Sequence, residues 1–188
     1  MSIINLLHPF QTFILGQKIF ATHIAKKLKI PLIFYGENEA EHGNNANDNK
    51  SPKREKKFFS SNNQDLYLGG LKINDLIFKH NLKLKDLKIF LPIEDKEMGL
   101  EEIDVQYLGY YLKWTPQETF YYAVETANFK PRPFRTEGTY SKYNSIDDKI
   151  DDLHYYTTFI KFGIGRTHYD VSQELRNDHL AIEEGKKL

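Results

Sequence analysis

The sequence predicts an α/β fold whose C-terminal part is largely helical, and three observations carry that prediction. An amphipathic helical stretch is followed at once by the apolar run Leu32-Ile33-Phe34. A second run without a clean polar face spans Val105 to Leu112, and the chain beyond it is dominated by helical spacing. Continuous apolar runs of this kind read as strands covered on both faces, the habit of parallel sheets.

The first helix is placed by Phe10, Phe13, Ile14, Phe20, Ala21, Ile24, Ala25 and Leu28, which recur at three- and four-residue steps. Pro9 suits its first turn, Lys26, Lys27 and Lys29 favour its C-terminal end, and Pro31 blocks its continuation. The strand that follows stops at Gly36 and runs into Glu37, Asn38, Glu39 and Glu41. In open α/β sheets ligands bind beyond the carboxyl ends of strands, so this acidic loop is a candidate site. In extended backbone Glu37 and Glu39 project to one side roughly 7 Å apart, a spacing from which two carboxylates converge on one Mg²⁺. A solvated acidic loop is the alternative.

Residues 43–64, rich in Asn, Lys and Ser and poor in aliphatic residues, are expected to form a mobile insertion, with Lys53 to Lys57 a solvated charge run. Two short helices are expected over Asn74–His80 and Leu84–Leu91, with Asn74 as N-cap and Gly69-Gly70 as a turn. Thr115-Pro116-Gln117-Glu118 has the capping-box form and opens a helix to about Ala127. The long irregular segment from Asn128 to Ser145 keeps aromatic and basic side chains, which argues for order and for function. Ser145 is expected to open the next helix, with Asp147 and Asp148 in its first turn and a break at Gly163 and Gly165. In the helix after that break, Arg166, Asp170 and Glu174 share one face. Acids four apart repel and an Arg ahead of its acid is the poorer order for helix support, so the stripe suggests a site in which Arg166 and Lys161 hold phosphate; a solvated face is the alternative. The sequence is expected to end mid-element at Lys187-Leu188.

Composition narrows the function classes. Lys plus Arg and Asp plus Glu are balanced at 26 each, which gives no reason to expect nucleic acid or a polybasic membrane contact. Without cysteine there is no thiolate metal site and no Cys nucleophile. No apolar run reaches the ~20 residues of a membrane span, and a soluble cytoplasmic protein is expected. The seven histidines form no recognisable zinc motif, and no G-x-S-x-G, Walker A or G-x-G-x-x-G sequence is present.

Several long runs, taken together and in order, carry a resemblance: HPFQTFILGQKIF with IPLIFYGENEAE, LGYYLKWTPQE, RTEGTYSKYNSIDDKIDDLHYYTTFIKFGIGR and YDVSQELRN. They resemble the N-acetyl sugar amidotransferases associated with acetamidino groups on pseudaminic-type flagellin sugars and on lipopolysaccharide sugars, over nearly the whole chain outside 43–64. The resemblance implies the C-terminal portion of a parallel-sheet, adenine nucleotide alpha hydrolase-like PP-loop domain, with residues 1–42 closing the nucleotide-binding part and 65–188 supplying the rest. It implies ATP and Mg²⁺ as cofactors, an N-acetylated sugar, free or nucleotide-linked, as acceptor, and an ammonia-supplying glutaminase subunit as partner. Carried over residue by residue, it implies catalytic roles for Glu37, Asn38, Lys161 and Arg166, and nucleotide contacts from Gly36, Glu37, Lys161 and Arg166. It further implies metal contacts from Glu37 and Glu39 and sugar contacts from Tyr140, Lys142, Asp170 and Glu174. The family's Ser-Gly-Gly-Lys-Asp-Ser type loop and its cysteine cluster are absent from these 188 residues. The expected activity is therefore that of an incomplete ATP-dependent amidotransferase, or of a non-catalytic half that joins a separately encoded PP-loop half.

Overall fold

Two strands that the apolar runs predicted lie side by side, as shown by a computed structural model that describes residues 1–36, 50–61, 66–98 and 103–188. Strand β1 (Leu32–Tyr35) runs parallel to β4 (Asp104–Tyr107), with Leu32 opposite Asp104 and Tyr35 opposite Tyr107. The far edge of β4 is covered by residues 52–54: the Arg54 N–H donates to the Val105 carbonyl at 2.8 Å and the Tyr107 N–H to the Pro52 carbonyl at 2.8 Å. Strands β2 (Tyr67–Leu68) and β3 (Leu71–Lys72) form a small antiparallel hairpin, turned by Gly69 and Gly70 at positive φ. The fold class is thus mixed α/β with small sheets.

The helices are α1 (Ser2–Leu6), α2 (Gln11–Leu28), α3 (Ile73–His80), α4 (Leu84–Leu87) and α5 (Asp95–Met98), followed by α6 (Pro116–Ala127), α7 (Ile150–Phe162), α8 (Arg166–Arg176) and α9 (Ile182–Gly185). They divide between two compact units. The first comprises Met1–Leu6 and Gln11–Lys113, the second Leu7–Phe10 and Trp114–Leu188.

In the first unit Ala25 of α2, Phe59, Ile93, Ile103 and Val105 form one buried cluster beneath the sheet, joined by Ile33 and Tyr35. Gly16 brings α2 close to Phe90, whose ring would lie 3.2 Å from a Cβ at that position, and His23 Nε2 meets the Leu91 carbonyl at 2.9 Å. A second cluster of Leu68, Ile73, Leu76, Leu87 and Leu91 ties the hairpin to α3 and α4.

Four expectations are corrected here. Strand β1 is well covered on one face only: on the other, Leu32 and Phe34 are 41 % and 50 % exposed, with the Tyr111 ring edge-on to Phe34 at 6.3 Å between centroids. Residues 50–61 do supply buried surface, although their composition suggested none. Phe59 enters the core and Arg54 is 5 % exposed, its guanidinium 4.9 Å from the Tyr35 ring centroid and 5.6 Å from that of Phe58, which lets a cation lie under aromatic cover. The N-cap of α3 is Lys72 rather than Asn74, since the Ile73 N–H is bonded to the Leu66 carbonyl at 3.0 Å and no side-chain cap is made. Helix α7 starts at Ile150, not at Ser145. Ser145 sits in the left-handed region at φ 52°, and the Asp148 carboxylate accepts the Ile150 N–H at 2.6 Å.

Candidate functional site

The second unit is built around charged side chains that its helices hold inside. Helix α6 begins where predicted, behind Thr115 with Pro116 in its first turn, but the Thr115 hydroxyl donates to the Glu118 carboxylate instead of accepting a backbone N–H. Asn128 then ends the helix in the left-handed conformation. The following irregular segment folds back on itself: the Arg132 N–H donates to the Lys142 carbonyl and the Thr136 N–H to the Ser141 carbonyl, both at 2.9 Å. Thr136, only 1 % exposed, also donates its hydroxyl to the Asn144 carbonyl at 2.8 Å. Helix α8 clamps this loop through Thr167, whose N–H and hydroxyl both reach the Gly138 carbonyl, at 3.0 and 2.6 Å.

The face of α8 that carries Arg166, Asp170 and Glu174 is turned inward. Arg166 and Glu174 are 7 % and 6 % exposed, which removes the solvated-stripe alternative. Arg166 Nη1 donates to the Asp151 carboxylate at 2.7 Å and to the Ser145 hydroxyl, which itself donates to Asp151. Its guanidinium carbon lies 4.0 Å from the centroid of the Tyr155 ring. The carboxylate that holds this arginine therefore comes from the first turn of α7 and not from the stripe. Burial pushes the Tyr155 hydroxyl pKa up, with the adjacent Arg166 opposing the shift.

One turn on, Asp170 accepts from the Thr139 hydroxyl and from Asn144 Nδ2 at 3.2 Å. Burial raises the pKa of its carboxyl, while those hydrogen bonds and the Arg166 charge pull the other way. At the next turn Glu174 holds His179 Nδ1 at 2.9 Å, and His179 Nε2 lies 3.6 Å from the Glu118 carboxylate. Tyr140 and Tyr143 line the same region. Burial, then the Glu174 and Asp170 charges, push Tyr140 up to about 12 and shift Tyr143 upward by the same causes. Tyr143 also stacks on Phe120 with centroids 4.6 Å apart and donates to Gln117 at 3.0 Å. The two carboxylates of this interior are thus engaged by Thr139, Asn144 and His179, with the phenols and aromatic faces beside them.

A third feature joins Leu7–Phe10 to α7. His8 stacks on His154 with centroids 4.8 Å apart, and Phe10 meets the His154 ring edge-on. Neither Nδ1 has a hydrogen-bond partner among the described residues. Burial lowers the pKa of both rings; Lys161 adds to this at both, the neighbouring ring adds to it at His8, Arg166 adds to it at His154, and Asp151 opposes it at His154.

The residues expected in a site are thus distributed unevenly. Arg166, Asp170, Glu174 and Tyr140 gather in the second unit, whereas Lys142 is exposed on the neighbouring loop with Nζ 3.5 Å from the Pro133 carbonyl. Lys161 is exposed at the end of α7, its Nζ 4.9 Å from the Phe162 ring centroid. Gly36 follows β1 in the first unit, and no atom of the described residues lies within 4 Å of where a Cβ would stand. Glu37, Asn38, Glu39 and Glu41 lie outside the described residues. Among the described residues no group of three or more His, Asp or Glu is arranged to hold a metal, and no helix is long and apolar enough to cross a membrane. The two cations expected at a phosphate differ in setting: the Lys161 side chain is exposed, while the Arg166 guanidinium is buried and engaged by Asp151 and Ser145. Sequence reasoning missed Ser145 as a hydrogen-bonding residue, and it missed Asp151, Thr139, Asn144 and His179. Only Asp151 carried a local signal, its place on the same helical face as Tyr155.

Residues 137–188 match the family model described as the C-terminal domain of LPS biosynthesis protein WbpG-like proteins. No curated protein matches the chain. The matched stretch contains Arg166, Asp170, Glu174 and His179, the inward face of α8 and the histidine that it holds.

Proposed function

We propose that the chain supplies the acceptor-side portion of an ATP-dependent amidotransferase of lipopolysaccharide or flagellin sugar biosynthesis, which converts an acetamido group to an acetamidino group in the cytoplasm. The observation that carries this reading is the match of residues 137–188 to a lipopolysaccharide-biosynthesis domain over the segment that forms the polar interior of the second unit. Tyr140, Lys142, Asp170 and Glu174 are the proposed sugar contacts, the two carboxylates being engaged within the chain by Thr139, Asn144 and His179. When ATP is bound, it supplies a leaving group for the amide oxygen. Lys161 is the proposed phosphate contact, and Glu37 and Glu39 are the proposed Mg²⁺ contacts.

On this reading the PP-loop comes from outside these 188 residues. Purified chain with an N-acetylated sugar, ammonia, ATP and Mg²⁺ is expected to release no AMP. Adding a polypeptide that carries the PP-loop half is expected to start AMP release together with replacement of the acetamido oxygen by NH, followed by mass spectrometry. AMP and pyrophosphate from the chain alone would refute the incomplete-enzyme reading, and none from any combination would refute the amidotransferase itself. A second reading, a binding half without chemistry of its own, is favoured by the exposed apolar side chains of β1, Leu32 and Phe34, which offer a sheet face to a partner. Complex formation with the PP-loop half without any turnover would select it.

A further inference from the structure

Helix α7 turns its polar side chains inward and its apolar ones out. Within the second unit Asp151 and Tyr155 meet Arg166, His154 stacks on His8, and Thr157 is buried. On the opposite side Leu153, Tyr156, Phe159 and Ile160 are each between 42 % and 62 % exposed, and they fall within about 120° of the helix circumference. A helix that faces water carries its polar residues there, so this arrangement is the reverse of one. Phe162 and Ile164, also exposed, continue the apolar surface through the end of the helix. The six side chains leave about 700 Å² to solvent, more than a monomeric protein usually gathers in one apolar patch.

The geometry points to a second copy of this chain as the occupant, with its α7 packed antiparallel across this face about a two-fold axis near Tyr156. The inference does not depend on the amidotransferase reading. Tyr156 is the middle of the 13 residues of α7, and Leu153 and Phe159 stand three residues to either side of it. A two-fold axis there lays Leu153 of each copy against Phe159 of the other, which is the self-complementarity that a closed dimer requires. Charge favours the same direction. The first turn of α7 carries Asp151 and Asp152 and the last turn carries Lys161, so antiparallel copies bring opposite charges and opposite dipole ends together, whereas parallel copies would align like with like. These charges lie beside the stripe and act at a distance. Area agrees as well: with about 700 Å² from each copy the contact covers about 1,400 Å², within the range of stable specific interfaces.

Sedimentation velocity of the whole chain over a concentration series tests this. The wild type is expected to pass from monomer to dimer. Ile160→Lys, present twice in each dimer, is expected to weaken association on the order of 10²–10³-fold with an unchanged thermal melt. Tyr122→Asp, 68 % exposed on α6, is the control and is expected to dimerise as the wild type does. The chain holds no cysteine, so Tyr156→Cys supplies a single thiol. Close to a two-fold axis that thiol is expected to form an intermolecular disulfide on mild oxidation, whereas Tyr122→Cys is expected to stay reduced. A wild type that remains monomeric throughout the series would overturn the proposal, and protection of α7 only on adding the PP-loop half would overturn it in favour of that polypeptide as the occupant. A dimer that Ile160→Lys leaves intact and Tyr156→Cys does not cross-link would overturn it too, by placing the interface elsewhere.

Discussion

Arg166 and Asp151 form a charge pair at 2.7 Å whose side chains are only 8 % and 22 % exposed, with the Tyr155 ring closing one face of the guanidinium. The pair joins the start of α7 to the start of α8 and fixes Ser145 between them. Attraction between two such groups largely offsets the cost of removing them from water, so the pair matters less for what it adds than for what either partner would lose alone.

Removing one partner makes that loss visible. Asp151→Ala is expected to destabilise the second unit by about 3 kcal/mol, because it leaves a buried guanidinium without its carboxylate. Asp152→Ala, one residue on in the same first helical turn, serves as the control for helix-dipole effects. Urea denaturation of both variants measures the difference, and equal losses would mean that the pair is not what holds the two helices together.

The stacked histidines predict a pH dependence with a definite sign. Both pKa values are lowered in the folded chain from the ordinary 6.5, so between those lowered values and 6.5 the unfolded chain binds more protons. Stability contributed by the neutral pair is complete above about pH 6.5 and is lost as pH falls through the folded values. The raised pKa of Asp170 acts in the opposite sense, because a carboxyl that prefers to be protonated in the folded state costs stability as pH rises through its folded value. Denaturation midpoints taken downward from neutral pH are therefore expected to fall, and His8→Gln with His154→Gln is expected to flatten that fall. An unchanged slope in the double variant would assign it to other groups.

How far the sequence revealed this molecule depends on whether the deciding contact is local. Helix α2, strand β1 and the start of β4 were legible because spacing of apolar residues is a property of a short window. The same holds for Gly163, which ends α7 at φ 71°, and for the start of α6 behind Thr115. The run expected to continue as a strand to Leu112, by contrast, leaves β4 at Tyr107 for a 3-10 turn over Leu108–Tyr110. Ser145 misled because a serine before two acids has the form of an N-cap, whereas its hydroxyl is used by Asp151 and by Arg166, 21 residues away. Phe59 and Arg54 were hidden by their lysine-rich neighbours, since averaged composition does not register single side chains that find a sheet elsewhere. In the site, the Arg166, Asp170 and Glu174 face was visible as a charge pattern that a solvated helix would not favour. Its partners were not, because Asp151, Asn144 and His179 reach it from three other segments.

The turn of the β2–β3 hairpin offers a backbone test. Gly70 has φ 80°, and a Cβ there would stand 2.7 Å from the Asn5 Cβ and 3.1 Å from the Leu6 Cγ. Gly70→Ala is expected to destabilise the first unit by about 2 kcal/mol through left-handed strain and that contact. Gly36→Ala, where no atom of the described residues lies within 4 Å, is expected to leave stability nearly unchanged. Thermal melts of the two variants separate these outcomes, and a tolerated Gly70→Ala would mean that α1 does not close on the turn.

Burial separates the two cations that were expected to share a phosphate. Arg166→Ala is expected to cost about 3 kcal/mol of stability by abandoning Asp151, so any loss of turnover in that variant reports folding before it reports chemistry. Lys161 is exposed, and Lys161→Ala is expected to change stability by no more than about 0.5 kcal/mol. In the completed enzyme the same substitution is expected to raise KM for ATP and lower kcat together, because a cation that meets phosphate acts in the ground state as well as in the transition state. Glu37→Gln is expected to behave differently, with kcat lower by roughly 10²–10³-fold and sugar binding preserved, since the charge it contributes is needed when the leaving group departs. Steady-state kinetics at saturating Mg²⁺ measure both. If Lys161→Ala binds ATP as the wild type does, the phosphate contact belongs to another residue. If Glu37→Gln turns over within a few-fold of wild type, the acidic segment after β1 plays no part in the metal chemistry.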